Sequence, residues 1–402
     1  MDTSAYTHIH MSFATLNEDF SVDISSIEEQ FRRFVQMTGI KRIISFGGWE
    51  FSTSAASYMI FRDAAANRQT FVDSVIGFLK EYDLDGVDFD WEYPGAPDIP
   101  DIPPSTEEDA NNFFLFLNLL STSMSNNAPG KTIAVTALSS YWYLKTMPII
   151  PISVVMDYIV YMTYDLHGQW DYDNAWADSG CPAGNCLRSH VNLTETLNAM
   201  SMITKAGIQS NKVILGGACT GTAGYLADGE IEQVLKANSS VSVHELDDSF
   251  SNVLVYDETQ WVAYMDADNK GTRTALYVMY NFGGIADWAV DLQSSSGSGG
   301  DNDDDSSSSG DGETGEEIYI DPGLWTLSDP VIVCLPPCTF VLPPSSKSGT
   351  IHTVTSTYSL PPFPVSSISL WPVTVKEDDP KTAPVNTNAE HQPATNGGAS
   401  AA

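Results

Sequence analysis

The 402-residue sequence lacks several features that would place it in common protein classes. No apolar run approaches the roughly 20 residues that a membrane-spanning helix needs, so membrane insertion is not expected. Positive charge is scarce: 18 Lys and Arg stand against 52 Asp and Glu, a net charge of −34. This balance argues against nucleic acid or an anionic membrane as a partner. No glycine-rich phosphate loop follows any predicted strand, so no nucleotide or other cofactor is predicted.

Cysteine is also scarce, with five in the chain. Cys181 and Cys186, and likewise Cys334 and Cys338, are spaced as short disulfide loops and lack the ligand spacing of a zinc site. Cys219 is then the odd cysteine. Disulfides form in oxidising compartments, so these loops predict an extracellular or cell-wall protein. No secretory leader precedes the first predicted strand, and we expect that the leader is missing from this chain.

Short apolar strands alternate with amphipathic helices over the first 293 residues. Repeated βα units predict an α/β fold with a parallel sheet, and their number favours a closed (β/α)₈ barrel over an open doubly wound sheet. The predicted helices cover residues 67–82, 107–126 and 194–206, with an earlier one near residue 28. The predicted strands are His8–Ala14, Lys41–Ser45, Asp85–Glu92, Thr132–Ala137, Tyr158–Tyr164, Lys212–Leu215 and Ala275–Met279.

The predicted strand Asp85–Glu92 carries a row of carboxylates. Side chains alternate faces along a strand, so Asp88, Asp90 and Glu92 share one face, opposite a face of apolar side chains. Carboxyls roughly 6–7 Å apart cannot all ionise cheaply, and at least one pKa should rise. The row could be a solvated acidic face, a hard-metal site with oxygen ligands, or an acid/base pair for a glycosidic bond. The apolar opposite face and the raised pKa favour acid/base chemistry.

Other candidate residues lie at the ends of predicted strands. In a barrel, functional residues gather at the carboxyl ends of the strands. Those ends carry Ser45–Trp49, Asp88–Tyr93, Met162–Asp165 and Gly283–Trp288. Taken singly, the glycines could form an ordinary turn and the tryptophans could belong to the core. Their joint placement at four strand ends predicts one site.

The row Asp85–Glu92, followed by Tyr93 and Pro94, resembles the signature of glycoside hydrolase family 18, the chitinases and their relatives. The four clusters follow the family pattern in order over roughly residues 6–293. The segments Tyr164–Trp170 and Cys219–Tyr225 are similar to fungal class V chitinases of the killer-toxin-like subgroup. Neither a cofactor nor a metal is predicted.

The resemblance also marks departures from the family. It implies a (β/α)₈ TIM barrel whose first strand, before Tyr6, is missing. After Leu215 a segment that usually bears a disulfide is shortened, which accounts for the odd Cys219. Residues 218–265 would then be a reduced α+β insertion before the last strand. A barrel that lacks a strand exposes two unpaired edges.

The resemblance further implies roles for individual residues. Glu92 would protonate the leaving oxygen and later activate water, and Asp90 would hold the acetamido N–H while sharing a proton with Asp88. Tyr164 would donate to the acetamido carbonyl, whose oxygen attacks the anomeric carbon in place of a protein nucleophile. The predicted substrate-binding residues are Trp288, Trp49, Tyr93, Met162, Asp165 and Gly48.

These roles predict a retaining, substrate-assisted endo-chitinase that acts on β-1,4-linked N-acetylglucosamine in chitin. We expect a monomer with no nucleic acid partner. One alternative is a catalytically impaired, chitin-binding or degenerate member of the family, and another is an endo-β-N-acetylglucosaminidase acting on N-glycans. Glu92 favours the enzyme, because lectin-like relatives lose that acid, whereas the missing strand argues the other way.

The composition changes abruptly after residue 292. Residues 294–317 consist mainly of Ser, Gly and Asp, which predicts a disordered acidic linker. Residues 318–402 are rich in Pro, Ser and Thr and predict a mostly disordered tail. The predicted organisation is therefore a catalytic barrel over 1–293, a linker and a tail.

Overall fold

The computed structural model describes most of the chain up to residue 292. It covers residues 5–292, with gaps at 173, 175–180, 182–185, 187, 219, 222–225, 238–241, 247–248 and 257–259, and the backbone of three short strands further on. Cys219 and Cys334 lie outside the described residues, as does the side chain of Cys338. Cys181 and Cys186 are joined by a disulfide.

Thirteen strands and ten helices make up the first compact unit in the described range. The strands are β1 His8–Leu16, β2 Val22–Asp23, β3 Lys41–Gly47, β4 Gly86–Asp90, β5 Thr132–Leu138, β6 Tyr158–Met162, β7 Val213–Ala218, β8 Thr220–Gly221, β9 Leu226–Ala227, β10 Ser242–Leu246, β11 Ser251–Tyr256, β12 Gln260–Tyr264 and β13 Gly284–Trp288. The helices are α1 Glu28–Phe34, α2 Gly48–Thr53, α3 Tyr58–Ala66, α4 Arg68–Glu81, α5 Glu107–Asn127, α6 Tyr141–Leu144, α7 Ile149–Val155, α8 Leu193–Lys205, α9 Asp228–Ala237 and α10 Ala267–Met279.

One curled sheet organises these elements. Its order is β13-β7-β6-β5-β4-β3-β1-β2, in which β2 runs antiparallel to β1 and every other pair is parallel. In the part of the chain that the structure describes, no ladder joins β1 to β13. The molecule is therefore a partial (β/α) barrel that is open between these two strands, as the resemblance predicted.

Aromatic packing behind the sheet determines which way β4 faces. The ring of Phe89 stacks on Phe46 of β3 at 5.6 Å and meets Phe116 of α5 at 5.1 Å. Phe116 in turn stacks on Phe71 of α4 at 4.3 Å. Burying one such side chain contributes about 1.5–3 kcal/mol, so the apolar face of β4 is held against the helices. The alternate positions of β4 therefore face the barrel interior.

The last predicted strand is wrong. Ala275–Met279 is the final part of helix α10, and the strand that follows it is β13. A five-residue apolar run has the same signature in a strand as on a helix. Here Tyr277 is buried whereas Val278 is exposed, as on the surface of a helix. The helix begins with a capping box formed by Asp266 and Asn269.

A small α+β insertion precedes α10, within the predicted range 218–265. Strands β10, β11 and β12 form an antiparallel sheet, and α9 packs against it. Their shared apolar cluster is formed by Ile231, Leu254, Val262 and Tyr264. This cluster gives the insertion a core of its own.

A second compact unit lies further along the chain. Its described part is a parallel sheet of β14 Glu316–Tyr319, β15 Cys338–Leu342 and β16 Thr374–Glu377. The sequence did not predict these strands. The rest of the predicted linker and tail lies outside the described residues, so its disorder stays a prediction. None of the helices that the structure describes is long and apolar enough to cross a membrane.

Candidate active site

The site is built around the carboxyl end of β4. Asp88 and Asp90 are 3% and 7% exposed and lie on the interior face of the strand. Glu92 lies two residues beyond the last strand position. Its backbone N–H donates to Ser52 Oγ at 3.1 Å, which ties the end of β4 to helix α2. All three predicted carboxylates therefore belong to one continuous segment.

Asp88 is oriented by three other strands. Its Oδ2 accepts hydrogen bonds from Ser45 Oγ of β3 at 2.9 Å and from Thr136 Oγ1 of β5 at 3.3 Å. His10 of β1 approaches the same oxygen with Nδ1 at 3.5 Å. Two hydroxyl donors and one imidazole thus converge on a single carboxylate oxygen. These contacts fix the orientation of Asp88, the first of the three carboxylates along the chain.

Asp90 and Glu92 have strongly perturbed acidities. Burial raises the pKa of Asp90 well above its ordinary value, and the charges of Glu92 and Asp88 raise it further. Burial also raises the pKa of Glu92 to about 7, against the effect of a hydrogen bond with Tyr93 and with the help of Asp165. The pair therefore combines a carboxyl whose ionisation is disfavoured with one that gains and loses a proton near neutral pH, which is the requirement for general acid/base catalysis.

Asp90 Oδ1 is buried without a hydrogen-bond partner among the described residues. An orphaned polar atom of this kind at an interior surface can accept a donor from a ligand. Within the described ranges, no three His, Cys, Asp or Glu side chains are grouped so as to hold a metal ion.

Tyr164 supplies a phenol beside the acids. Burial raises its pKa well above the ordinary value, and the nearby charges of Asp90 and Glu92 add to the effect, so its hydroxyl stays a donor. Its ring packs on Gly216 of β7, where an added Cβ would lie 2.5 Å from a ring carbon. Tyr164 also shares an apolar cluster with Met162 and Tyr93. Three predicted residues are thereby brought together.

Gly47 and Gly48 connect β3 to α2 and are constrained by close contacts. Gly47 has φ +107°, and a Cβ there would lie 2.2 Å from the carbonyl oxygen of Asp90. Gly48 has φ +80°, and a Cβ there would lie 2.6 Å from the ring of Phe13. Both positions require glycine because the backbone adopts a conformation that L side chains avoid and because neighbouring atoms fill the space.

Exposed aromatic rings lie just after β3 and at the end of β13. Trp49 is 50% exposed, with its ring centroid 6.4 Å from that of Tyr93, and Tyr93 stacks on Tyr143 at 4.7 Å. Trp288, at the end of β13, is 38% exposed and lies 5.5 Å from the ring of Phe13. The flat, apolar faces of such rings suit stacking on sugar rings.

Sequence reasoning missed three residues of the site. Phe13 lies near the end of β1 and Tyr143 follows the end of β5, so the strand-end rule could have found both. His190 lies 3.2 Å, through Nδ1, from Oδ1 of the predicted Asp165. It precedes α8 rather than following a strand, and no local pattern identifies it.

A barrel whose central strand ends in closely spaced acids, one with a pKa near neutrality, has the arrangement that acid/base hydrolysis of a glycosidic bond requires. The sequence profile described as Glycosyl hydrolases family 18 matches residues 1–293, and the chain belongs to that family. The predicted family is thereby confirmed.

Fungal proteins are among its relatives. The chain is 44% identical over 332 residues to "Secreted chitinase LysM12" of Penicillium expansum, a match covering 73% of this chain and 22% of that protein. It is 43% identical over 214 residues to "Killer toxin subunits alpha/beta" of Kluyveromyces lactis, covering 52% of this chain and 18% of that protein. These matches agree with the predicted fungal subgroup. The chain spans only 22–30% of the length of three Penicillium relatives.

Solved structures show the same fold. The class V chitinase from Nicotiana tobaccum matches with a TM-score of 0.60 at 19% identity, covering 73% of this chain and 90% of that one. The Ostrinia furnacalis Group IV chitinase in complex with allosamidin matches with a TM-score of 0.60 at 22% identity, covering 73% and 86%. At these identities the likeness concerns the fold alone.

Proposed function

We propose that this protein is a retaining endo-chitinase that hydrolyses β-1,4 linkages between N-acetylglucosamine units with the help of the substrate's acetamido group. The observation that carries the proposal is the row of Asp88, Asp90 and Glu92 at the carboxyl end of β4. Burial raises the pKa of Asp90 well above its ordinary value and raises that of Glu92 to about 7. The choice of chitin is supported by the names of the relatives.

In the first step Glu92 protonates the glycosidic oxygen as the bond from that oxygen to the anomeric carbon breaks. The acetamido carbonyl oxygen attacks the anomeric carbon from the opposite face, and Tyr164 donates a hydrogen bond to it. Asp90 accepts the acetamido N–H with its unpartnered oxygen and shares its proton with Asp88. The acetamido oxygen takes the place of a protein nucleophile. Asp90 is not expected to act as one, because it lies on the same chain segment as Glu92, whereas the attack comes from the opposite face of the sugar.

In the second step Glu92, now ionised, takes a proton from a water molecule that attacks the anomeric carbon. The bond from the acetamido oxygen to that carbon breaks as the water adds, which restores the acetamido group and leaves Glu92 protonated again. The water arrives on the face that the leaving group vacated, so the product keeps the β configuration. Trp288 would form the floor beneath the reacting sugar, while Trp49 and Tyr93 would line the leaving-group side. Met162, Asp165 and Gly48 complete the proposed substrate-binding set.

The decisive experiment measures reducing-end release from chito-oligosaccharides, with the anomer of the first product read by NMR. We expect β product from the wild type and a loss of at least about 10²-fold in rate for Glu92→Gln, which removes the acid but keeps the shape. Glu50→Gln on α2, an exposed carboxylate, is the matched control and should leave the rate unchanged. Undiminished release by Glu92→Gln would refute the proposal.

A second candidate is a chitin-binding protein without turnover. The open edge between β1 and β13 favours it, because Trp288, the proposed floor beneath the reacting sugar, lies on the edge strand. A floor that is not held in place would impair turnover. Retention on chitin beads without any release of oligosaccharide would identify this function. Extracellular placement and a monomeric state also belong to the proposal. The disulfide between Cys181 and Cys186 and the secreted Penicillium relative support the placement.

A further inference from the structure

His190 is a buried imidazole that the mechanism above does not use. Its side chain is 0% exposed, and its Nδ1 lies 3.2 Å from Oδ1 of Asp165. Its carbonyl oxygen accepts the backbone N–H of Leu166 at 3.0 Å. None of the residues that the structure describes bonds to its Nε2. All the hydrogen-bond contacts of His190 are therefore with the turn that follows Tyr164.

That turn has an unusual backbone. Asp165 has φ +50°, a left-handed conformation that few non-glycine residues adopt. Neighbouring structure must hold such a residue in place, since the conformation costs free energy. His190 supplies two holding contacts: a side-chain bond to the carboxylate and a backbone bond to the next residue.

The geometry also indicates which nitrogen of His190 carries a proton. Nδ1 lies 3.2 Å from Asp165 Oδ1 and 3.4 Å from the backbone nitrogen of Asp165. The same nitrogen cannot donate to the first atom and accept from the second. The shorter contact is with a carboxylate, a strong acceptor, so Nδ1–H donates to Asp165.

Asp165 acts on the acidity of Glu92. Burial has the largest effect and raises the pKa of Glu92. A hydrogen bond with Tyr93 lowers this pKa, and the charge of Asp165 raises it. Asp90 and Tyr164 are further titratable groups that interact with Glu92. Where the carboxylate of Asp165 lies therefore helps to set the pH at which Glu92 loses its proton.

We propose that His190 is a positioning residue for the reaction: by holding the left-handed turn at Asp165, it fixes where the carboxylate of Asp165 lies relative to the acid Glu92. This inference rests on the proposed role of Glu92. Its consequence is a shift in the alkaline limb of the pH–rate profile, which a purely structural role would not produce.

The test compares His190→Gln with His190→Asn through the pH dependence of kcat/KM on a soluble chito-oligosaccharide. Asn places its amide nitrogen near the position of Nδ1 and can still donate to Asp165, whereas Gln places it near Nε2 and cannot. We expect His190→Gln to lower kcat/KM by about 10- to 100-fold, because small displacements at a reacting site have effects of that size. Its alkaline limb should move to lower pH, while His190→Asn keeps the wild-type limb.

Two further variants separate positioning from stability. Asp165→Asn should move the limb in the same direction as His190→Gln, and the double variant should move it no further. His167→Leu is the matched control, because His167 is also buried and bonded to carboxylates, those of Asp171 and Glu195. It should lower the melting temperature without moving the limb.

An alkaline limb for His190→Gln that coincides with the wild type would overturn the inference. An equal shift in His167→Leu would overturn it as well, since the effect would then be general. Neither result bears on the proposed function, which is tested separately by the activity of Glu92→Gln. Conversely, full activity in Glu92→Gln would refute the proposed function, whatever the His190 variants show.

Discussion

Replacing Gly47 with alanine should damage both stability and catalysis, for reasons visible in the backbone. Gly47 has φ +107° and ψ −112°, a region reserved for glycine. Forcing another residue into such a conformation costs about 1–3 kcal/mol. The new Cβ would also lie 2.2 Å from the carbonyl oxygen of Asp90, which is backbone and cannot rotate away. Overpacking of this kind costs typically a further 1–3 kcal/mol.

The same contact predicts the catalytic effect. To relieve it, the end of β4 must move by about 1 Å, since carbon and oxygen at van der Waals contact need more than 3 Å. A displacement of that size at a reacting group can reduce the rate by about 10²-fold. Because Asp90 itself bears the displaced carbonyl, we expect kcat to fall more than KM changes.

Two other glycines provide matched controls. Gly39 has φ +76° with nothing within 4 Å of an added Cβ, so Gly39→Ala isolates the conformational cost. Gly77 lies within helix α4 with open space around it, and Gly77→Ala should stabilise the protein by about 0.5–1 kcal/mol. Chemical denaturation and oligosaccharide release would be measured for all three. If Gly47→Ala matched Gly39→Ala in both assays, the proposed contact with Asp90 would be wrong.

Three further predictions follow from the packing and the charges. The kcat/KM of the wild type should decline above about pH 7, because the acid must be protonated and the pKa of Glu92 is raised to about 7; a flat profile through that pH would contradict the assignment. Burial alone would lower the pKa of His167, but the hydrogen bonds and charges of Glu195 and Asp171 raise it above 6.5. Its contribution to the free energy of unfolding should be complete below pH 6.5 and disappear as pH rises through the folded-state pKa, and denaturation of His167→Leu should lack this decline. Phe116→Ala should destabilise the protein by about 3–5 kcal/mol in the same denaturation assay, because it empties the aromatic stack behind β4; a loss under about 1 kcal/mol would show that the stack is not the anchor of that strand.

Elements with a long amphipathic pattern were predictable from the sequence. The predicted helices at 67–82, 107–126 and 194–206 correspond to α4, α5 and α8 within one residue at each end. Each has enough turns for its period of 3.6 to be distinguished from that of a strand. The run Ala275–Met279 is too short for this, and its helix could be identified only by the capping box upstream. The true strand β13, with glycine, alanine and aspartate in five residues, has little strand propensity of its own.

The candidate site was predictable as far as the barrel topology determines it. Strand-end residues such as Asp90 and Tyr164 converge because parallel strands end at the same edge of the sheet. Contacts that depend on loops were not predictable. His190 meets Asp165 only because the segment before α8 folds back over the end of β6, and no periodicity records that approach.

The open side of the barrel separates two parts of the site. Asp88 and Asp90 lie on β4, and Glu92 follows it. Because β4 has a hydrogen-bonded neighbour on each side, the missing pairing does not reach them. Trp288 lies on the edge strand β13, where its contact with Phe13 and the hydrogen bond from Tyr6 to Asp287 link the two edges. Edge strands open more easily than central ones, because fewer contacts hold them. The acid/base pair is therefore the robust part of the site and the aromatic floor the weak part. Loosening of the edge should thus disturb the proposed floor beneath the reacting sugar first, while the hydrogen bonds that hold Asp88 persist.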